Sequence, residues 1–103
     1  MIKKRVDGNQ KAIIDALKKH DDSLSYCLLH TVGKGVPDLL IGFKTKNGSS
    51  SVLVEIKNKS GKLNQLQVQF FKDWKGPIIK VKSLEEIIEW LEKNEWDKGV
   101  ENG

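Results

Sequence analysis

The stretch "GVPDLLIGFKTKNGSSSVLVEIKNKSGKLNQLQ", residues 35–67, decides how this chain folds. Pro37 has no N–H to give a strand ladder, so it belongs at the start of a strand, "PDLLIGF". Asn47 and Gly48 supply a turn, and "SVLVEIKN" returns as the second strand of a hairpin. "KSGKLN" is a polar connection. Beyond it Leu66, Phe70 and Trp74 fall at i, i+4 and i+8, which predicts a helix starting at Asn64 or Gln65 and ended by Gly76 and Pro77.

Residues 7–20 carry Ile13, Ile14 and Leu17 at helical spacing with lysines between them, an amphipathic helix. "SLSYCLLHTV" alternates Leu24, Tyr26 and Leu28 and predicts a strand running up to His30 and Thr31, where Gly33 and Gly35 break the pattern. After the second helix, "IIKVK" reads as a short strand. Ser83, three residues before Glu86, forms a capping box that opens a last helix built on Leu84, Ile87, Ile88 and Leu91. Helix, three strands, helix, strand, helix is an α/β fold with helices flanking a mixed sheet. The last strand, reached through a helix, is expected to pair parallel beside the antiparallel hairpin. The domain spans residues 7–96, between a flexible basic N-terminus at 1–6 and a frayed tail at 97–103.

A chain of 103 residues, 38% hydrophobic and 31% charged, builds one modest core and has no room for a second domain or a large cofactor cavity. No stretch approaches the roughly 20 apolar residues that span a bilayer, and "MIKKRVDGNQ" lacks the apolar run of a signal peptide, so a soluble cytoplasmic protein with no membrane partner is expected. Cys27, the single cysteine, excludes an internal disulfide and a cysteine zinc cluster. Net charge is +4, but it is unevenly placed: through Lys82 sixteen Lys or Arg face seven Asp or Glu, and beyond it two face seven. A surplus of that kind suits a polyanion such as nucleic acid, and equally a solvated lysine-rich surface.

Three charges sit among the apolar residues of the hairpin. Side chains alternate faces, so Leu39, Ile41 and Phe43 share one face with Val52, Val54 and Ile56 on the partner, while Asp38, Leu40, Glu55 and Lys57 share the other. A turn centred on Asn47 and Gly48 sets Asp38 opposite Lys57. A longer turn through the serines sets Asp38 opposite Glu55. In either register two carboxylates share a partly buried surface, where they repel, and Lys57 offsets only one of them. A hard divalent cation reverses that balance, since Mg²⁺ takes oxygen ligands and keeps waters and substrate phosphates as the rest of its shell.

Pro37-Asp38 followed by Glu55-Ile56-Lys57 resembles the PD-(D/E)XK nuclease signature. With "HTVGKGVPDLLIGF", "LVEIKN", "GKLNQLQVQFFKDW" and "VKSLEE" around it, the chain resembles the small stand-alone VRR-NUC proteins of phages and bacteria. That resemblance implies a restriction-endonuclease-like αβββαβ core with an extra C-terminal helix. It also implies a Mg²⁺- or Mn²⁺-dependent DNA endonuclease, often a homodimer acting on branched DNA such as four-way junctions. Carried over, Asp38 and Glu55 are the metal carboxylates and the Ile56 carbonyl a further ligand. Lys57 positions the attacking water and stabilises charge on phosphorus, and Gln67 contacts the water or the scissile phosphate. Many relatives place a Glu on the first helix. Here the region reads "DGNQ", with Asp7, Asn9 and Gln10 as candidates, and Asp7 is read first as a helix cap and second as a ligand.

His30, Gly33, Lys34, Gly35, Lys59 and Lys62 are candidate DNA contacts, although each lysine alone is what a solvated surface carries and His30 is equally a structural residue. Phe70, Phe71, Trp74 and Trp90 have helical spacing and read as core or dimer interface. Two other functions fit the sequence: a non-cleaving DNA-binding module that keeps the fold, and an interaction protein that docks through the Glu-rich face of residues 85–95.

Overall fold

A computed structural model describes residues 8–20, 22–57 and 62–98. Helix α1, Gly8–Leu17, runs into a 3₁₀ turn at Lys18–His20. Strands β1 (Leu24–Leu28), β2 (Leu39–Thr45) and β3 (Gly48–Ile56) follow, then α2 (Gln65–Asp73), β4 (Ile78–Val81) and α3 (Leu84–Lys93). The strands form one sheet in the order β1-β2-β3-β4, antiparallel except for the parallel pair β3 and β4, whose connection carries α2. The chain is therefore α/β with a four-stranded mixed sheet and three α-helices among the described residues. None of these helices is long and apolar enough to cross a membrane.

Alternation fixes the two faces of the sheet. Leu39, Ile41 and Phe43 of β2 and Val52, Val54 and Ile56 of β3 are all buried, and they cluster with Ile13 and Leu17 of α1, Val81 of β4 and Ile87 and Leu91 of α3. Each such side chain contributes about 1.5–3 kcal/mol by leaving water. Gln10, buried, lies on the same helical stripe as Ile13 and Leu17. Trp96, beyond α3, closes the core: it bridges to Thr45 and its Nε1 donates to Ser23 Oγ at 3.3 Å. Asp97, expected to begin a frayed tail, donates its N–H to the Lys44 carbonyl at 2.8 Å. Residues 99–103 and 1–6 lie outside the described residues.

Four local expectations are corrected. Strand β1 stops at Leu28, three residues short of Thr31: Leu29 N–H still continues the ladder by donating to the Asp38 carbonyl, and the chain then bends, with Val32 N–H donating to the Leu29 carbonyl. Strand β2 begins at Leu39 rather than Pro37. The hairpin turns on Lys46 and Asn47, with Thr45 opposite Gly48. An Asn47-Gly48 turn of the usual hairpin type needs positive φ at both residues, whereas here only Gly48 (φ 142°) has it, as the first residue of β3. That register removes the Asp38–Lys57 pairing and, continued one residue past Leu39–Val54, sets Asp38 across from Glu55. At α3, Ser83 accepts from Glu86 N–H, but the Glu86 carboxylate reaches one residue further back, to Lys82 N–H at 2.7 Å.

Helix α2 departs furthest from its periodicity. It holds no buried residue, and Leu66, Val68 and Trp74 are exposed, so the expected contribution of Phe70, Phe71 and Trp74 to the core is absent among the described residues. Trp90, by contrast, packs against the core and meets Phe43 edge to face.

Candidate functional site

The site begins with main-chain geometry at the end of the hairpin. Ile56 N–H, pointing from β3 toward β2, donates to Asp38 Oδ2 at 2.8 Å. A hydrogen bond to a charged acceptor is worth about 1.5–3 kcal/mol, so this contact fixes the Asp38 carboxylate beside the end of β3. In an extended strand the N–H and C=O of one residue point the same way, which turns the Ile56 carbonyl toward Asp38 as well. Lys57 N–H points oppositely and continues the parallel ladder by donating to the Val81 carbonyl at 2.8 Å.

Glu55 and Lys57 project from the sheet face opposite the core. Glu55 is 3% exposed, a carboxylate almost wholly withdrawn from water. Its Oε2 lies 3.4 Å from Lys57 Nζ, whose side chain is 19% exposed, and accepts from Gln67 Nε2 at 3.0 Å. Burial of this kind is tolerated only when the charge is paired and hydrogen-bonded, and Gln67 and Lys57 supply both.

Gln67 is held by its own helix end. Asn64 is the N-cap of α2: its Oδ1 accepts from Gln67 N–H, and Gln67 Oε1 accepts in return from Asn64 N–H, both at 2.9 Å. The same Oε1 accepts from Lys57 Nζ at 3.0 Å. Two donors on the oxygen and a carboxylate on the nitrogen leave the Gln67 amide one orientation. A capping box, usually a local device for starting a helix, here fastens α2 to the end of β3.

The second attachment is Gly35. Its φ is 82°, and a Cβ there would fall 2.6 Å from the Leu66 carbonyl carbon and 3.0 Å from the Gln67 nitrogen. Only glycine lets the loop and the first turn of α2 approach so closely. A Cβ at Gly33 (φ 78°) would meet nothing within 4 Å, and Lys34 between the two glycines also has positive φ, 57°.

Asp38, Glu55, Ile56, Lys57 and Gln67 therefore converge, and Lys34 and Gly35 lie beside them through the contact with α2. His30 is half-buried in the turn after β1, and Lys62 is exposed ahead of α2. Lys59 and Asp7 lie outside the described residues, as does the side chain of Asn9, in the first turn of α1. Two members were not singled out from sequence. Asn64 is one. The other is Lys80: it is the parallel-ladder partner of Glu55, and because Val81 is buried and Ile79 packs on the core, Lys80 stands on the Glu55 side of the sheet.

No group of three His, Cys, Asp or Glu side chains that could hold a metal occurs among the described residues. The donors present are two carboxylates on facing strands and an adjoining main-chain carbonyl, with Lys57 balancing charge. Such a set fits a hard cation that keeps much of its shell as water and phosphate oxygen, and does not fit a zinc site closed by protein ligands. No family model, curated protein or solved structure matches the chain.

Proposed function

We propose that the chain is a Mg²⁺- or Mn²⁺-dependent DNA endonuclease of the PD-(D/E)XK type on a restriction-endonuclease-like core, cutting branched DNA and acting as a homodimer. One observation carries the reading: Glu55, 3% exposed, is held by Gln67 and Lys57 at the strand end where the Ile56 amide also fixes Asp38. A carboxylate held out of water as Glu55 is gives folding nothing that an apolar side chain would not, and half-buried Asp38 sets a second one across from it. They gain a purpose as ligands.

Asp38, Glu55 and the Ile56 carbonyl would hold the cation, which when bound polarises the phosphoryl oxygen and makes a water acidic at neutral pH. The rest is done by side chains of this chain. Lys57 sets its ammonium beside Glu55, where negative charge accumulates as the water oxygen bonds to phosphorus. Gln67 Oε1 keeps that ammonium in place, and Gln67 Nε2 keeps Glu55 oriented. Breakage of the bond from phosphorus to the 3′ oxygen leaves a 3′-hydroxyl and a 5′-phosphate. Lys80, on the same face, adds positive charge for the backbone of the strand.

Labelled duplex, flap and four-way-junction DNA incubated with purified protein tests this. Cleavage requiring Mg²⁺ and lost in Lys57→Ala supports it, whereas no cleavage of any substrate with metal present refutes it.

A further inference from the structure

We propose that Gln67 is a positioning residue that limits the site to one divalent cation per chain, held on the Asp38 side of Glu55; this rests on the metal-dependent nuclease reading. A donor aimed at a carboxylate oxygen takes the lone pair a cation would use and meets that cation with its own positive end. Glu55 Oε2 faces two such donors, Gln67 Nε2 at 3.0 Å and Lys57 Nζ at 3.4 Å. Glu55 is 3% exposed, so little water lies between these groups to weaken the repulsion between an ammonium and a cation on the same oxygen.

The amide is held against turning over to offer its oxygen instead. Gln67 Oε1 accepts from Asn64 N–H at 2.9 Å and from Lys57 Nζ at 3.0 Å. Reversal would set the amide NH₂ against both donors and the amide oxygen against the Glu55 carboxylate, losing all of these hydrogen bonds together. Asn64 Oδ1 accepts from Gln67 N–H at 2.9 Å, so the helix end itself backs the orientation.

The other flank of Glu55 offers oxygens. Ile56 N–H, on the β2 side of β3, holds Asp38 Oδ2 at 2.8 Å, and the Ile56 carbonyl turns the same way. A cation placed between Asp38 and Glu55 thus has oxygen ligands on the β2 side and hydrogen-bond donors on the α2 side. Two-cation phosphodiesterases set their metals about 3.5–4 Å apart. A second cation sharing Glu55 through Oε2 would fall where Gln67 Nε2 and Lys57 Nζ stand.

Titration of the full chain with Mn²⁺ alone, followed by calorimetry and electron paramagnetic resonance, reads the count without any chemistry. The wild type is expected to bind one Mn²⁺ per chain, with a spectrum free of coupling between ions, and Asp38→Asn to lose it. Gln67→Glu keeps the capping box, which takes either residue, but sets a carboxylate oxygen against Glu55 Oε2, where the two repel unless a cation joins them. Its count is expected to rise to two, with a coupled spectrum. Two Mn²⁺ in the wild type, or one in Gln67→Glu shown by circular dichroism to be folded, overturns the proposal; the wild-type count decides it even where Gln67→Glu does not fold. Two bound in the wild type leaves the nuclease reading standing, whereas none bound overturns that reading and this proposal with it.

Discussion

Replacing Gly35 by alanine separates the positioning of α2 from the stability of the fold. The new Cβ would lie 2.6 Å from the Leu66 carbonyl carbon, where ordinary contact begins at 3.4 Å, so the first turn of α2 must retreat by about 1 Å. Gln67 retreats with it, away from Glu55 and Lys57. A misplacement of about 1 Å at reacting groups costs roughly 100-fold in rate. Positive φ adds a strain of about 1–2 kcal/mol for an L-residue, which lowers Tm by about 4–16 °C in a domain of this size. Gly33→Ala is the matched control: φ is 78° and no atom lies within 4 Å of the new Cβ, so it carries similar strain without moving α2. Thermal melts by circular dichroism and cleavage of a labelled flap substrate give the two readouts. The expected result is a Tm loss in both variants, larger in Gly35→Ala because the displaced Gln67 also loosens its hold on buried Glu55, with cleavage at a temperature where both are folded reduced about 100-fold in Gly35→Ala and within a few-fold of wild type in Gly33→Ala. Equal cleavage by the two variants would refute the role given to the Gly35 approach.

Asp38→Ala removes the acceptor of the Ile56 amide and should lower stability by about 1.5–3 kcal/mol in urea denaturation, whereas Asp38→Asn keeps an acceptor oxygen and should lose less; both should abolish cleavage. Stabilisation of the wild type by Mg²⁺ in thermal melts, about 2.7 kcal/mol at 100 times Kd, should be absent in Asp38→Asn. Trp96→Ala should cost about 3–5 kcal/mol by chemical denaturation, because Trp96 is buried in the main core cluster although it follows the last helix. Lys80→Ala should weaken DNA binding and lower the slope of log affinity against log salt by about 1, measured by anisotropy across a salt series.

The parts of this architecture that rest on alternation and helical spacing were legible in the sequence. Leu39, Ile41, Phe43, Val52, Val54 and Ile56 point to one buried face because each strand has a single reading with period two, and that places Asp38 and Glu55 on the other. The register was left with two options, because Asn47-Gly48 suggests a turn centred there while the chain turns one residue earlier and uses the freedom of Gly48 within β3. Lys80 escaped for a related reason. Its alternation with Ile79 and Val81 is visible, but no tight turn sets the register of a parallel pair joined through a helix, so its place beside Glu55 appears only in three dimensions. The apolar residues of α2 have the spacing of a core helix and yet face outward, since spacing defines a face without saying what covers it. Gln67 was legible as a site residue through its resemblance alone. Its reciprocal cap with Asn64, which aims it at Glu55, follows from a local pattern that the sequence also contains.

The most direct measurement is cleavage of end-labelled duplex, flap and four-way-junction DNA by wild type, Asp38→Asn and Lys57→Ala, each with Mg²⁺ and with EDTA. Cleavage of branched DNA by the wild type in Mg²⁺, and by neither variant nor in EDTA, is the predicted result. Cleavage that persists in EDTA and in Lys57→Ala, or its absence on every substrate with metal present, would contradict the assignment of Asp38, Glu55 and Lys57 as the centre of a metal-dependent nuclease.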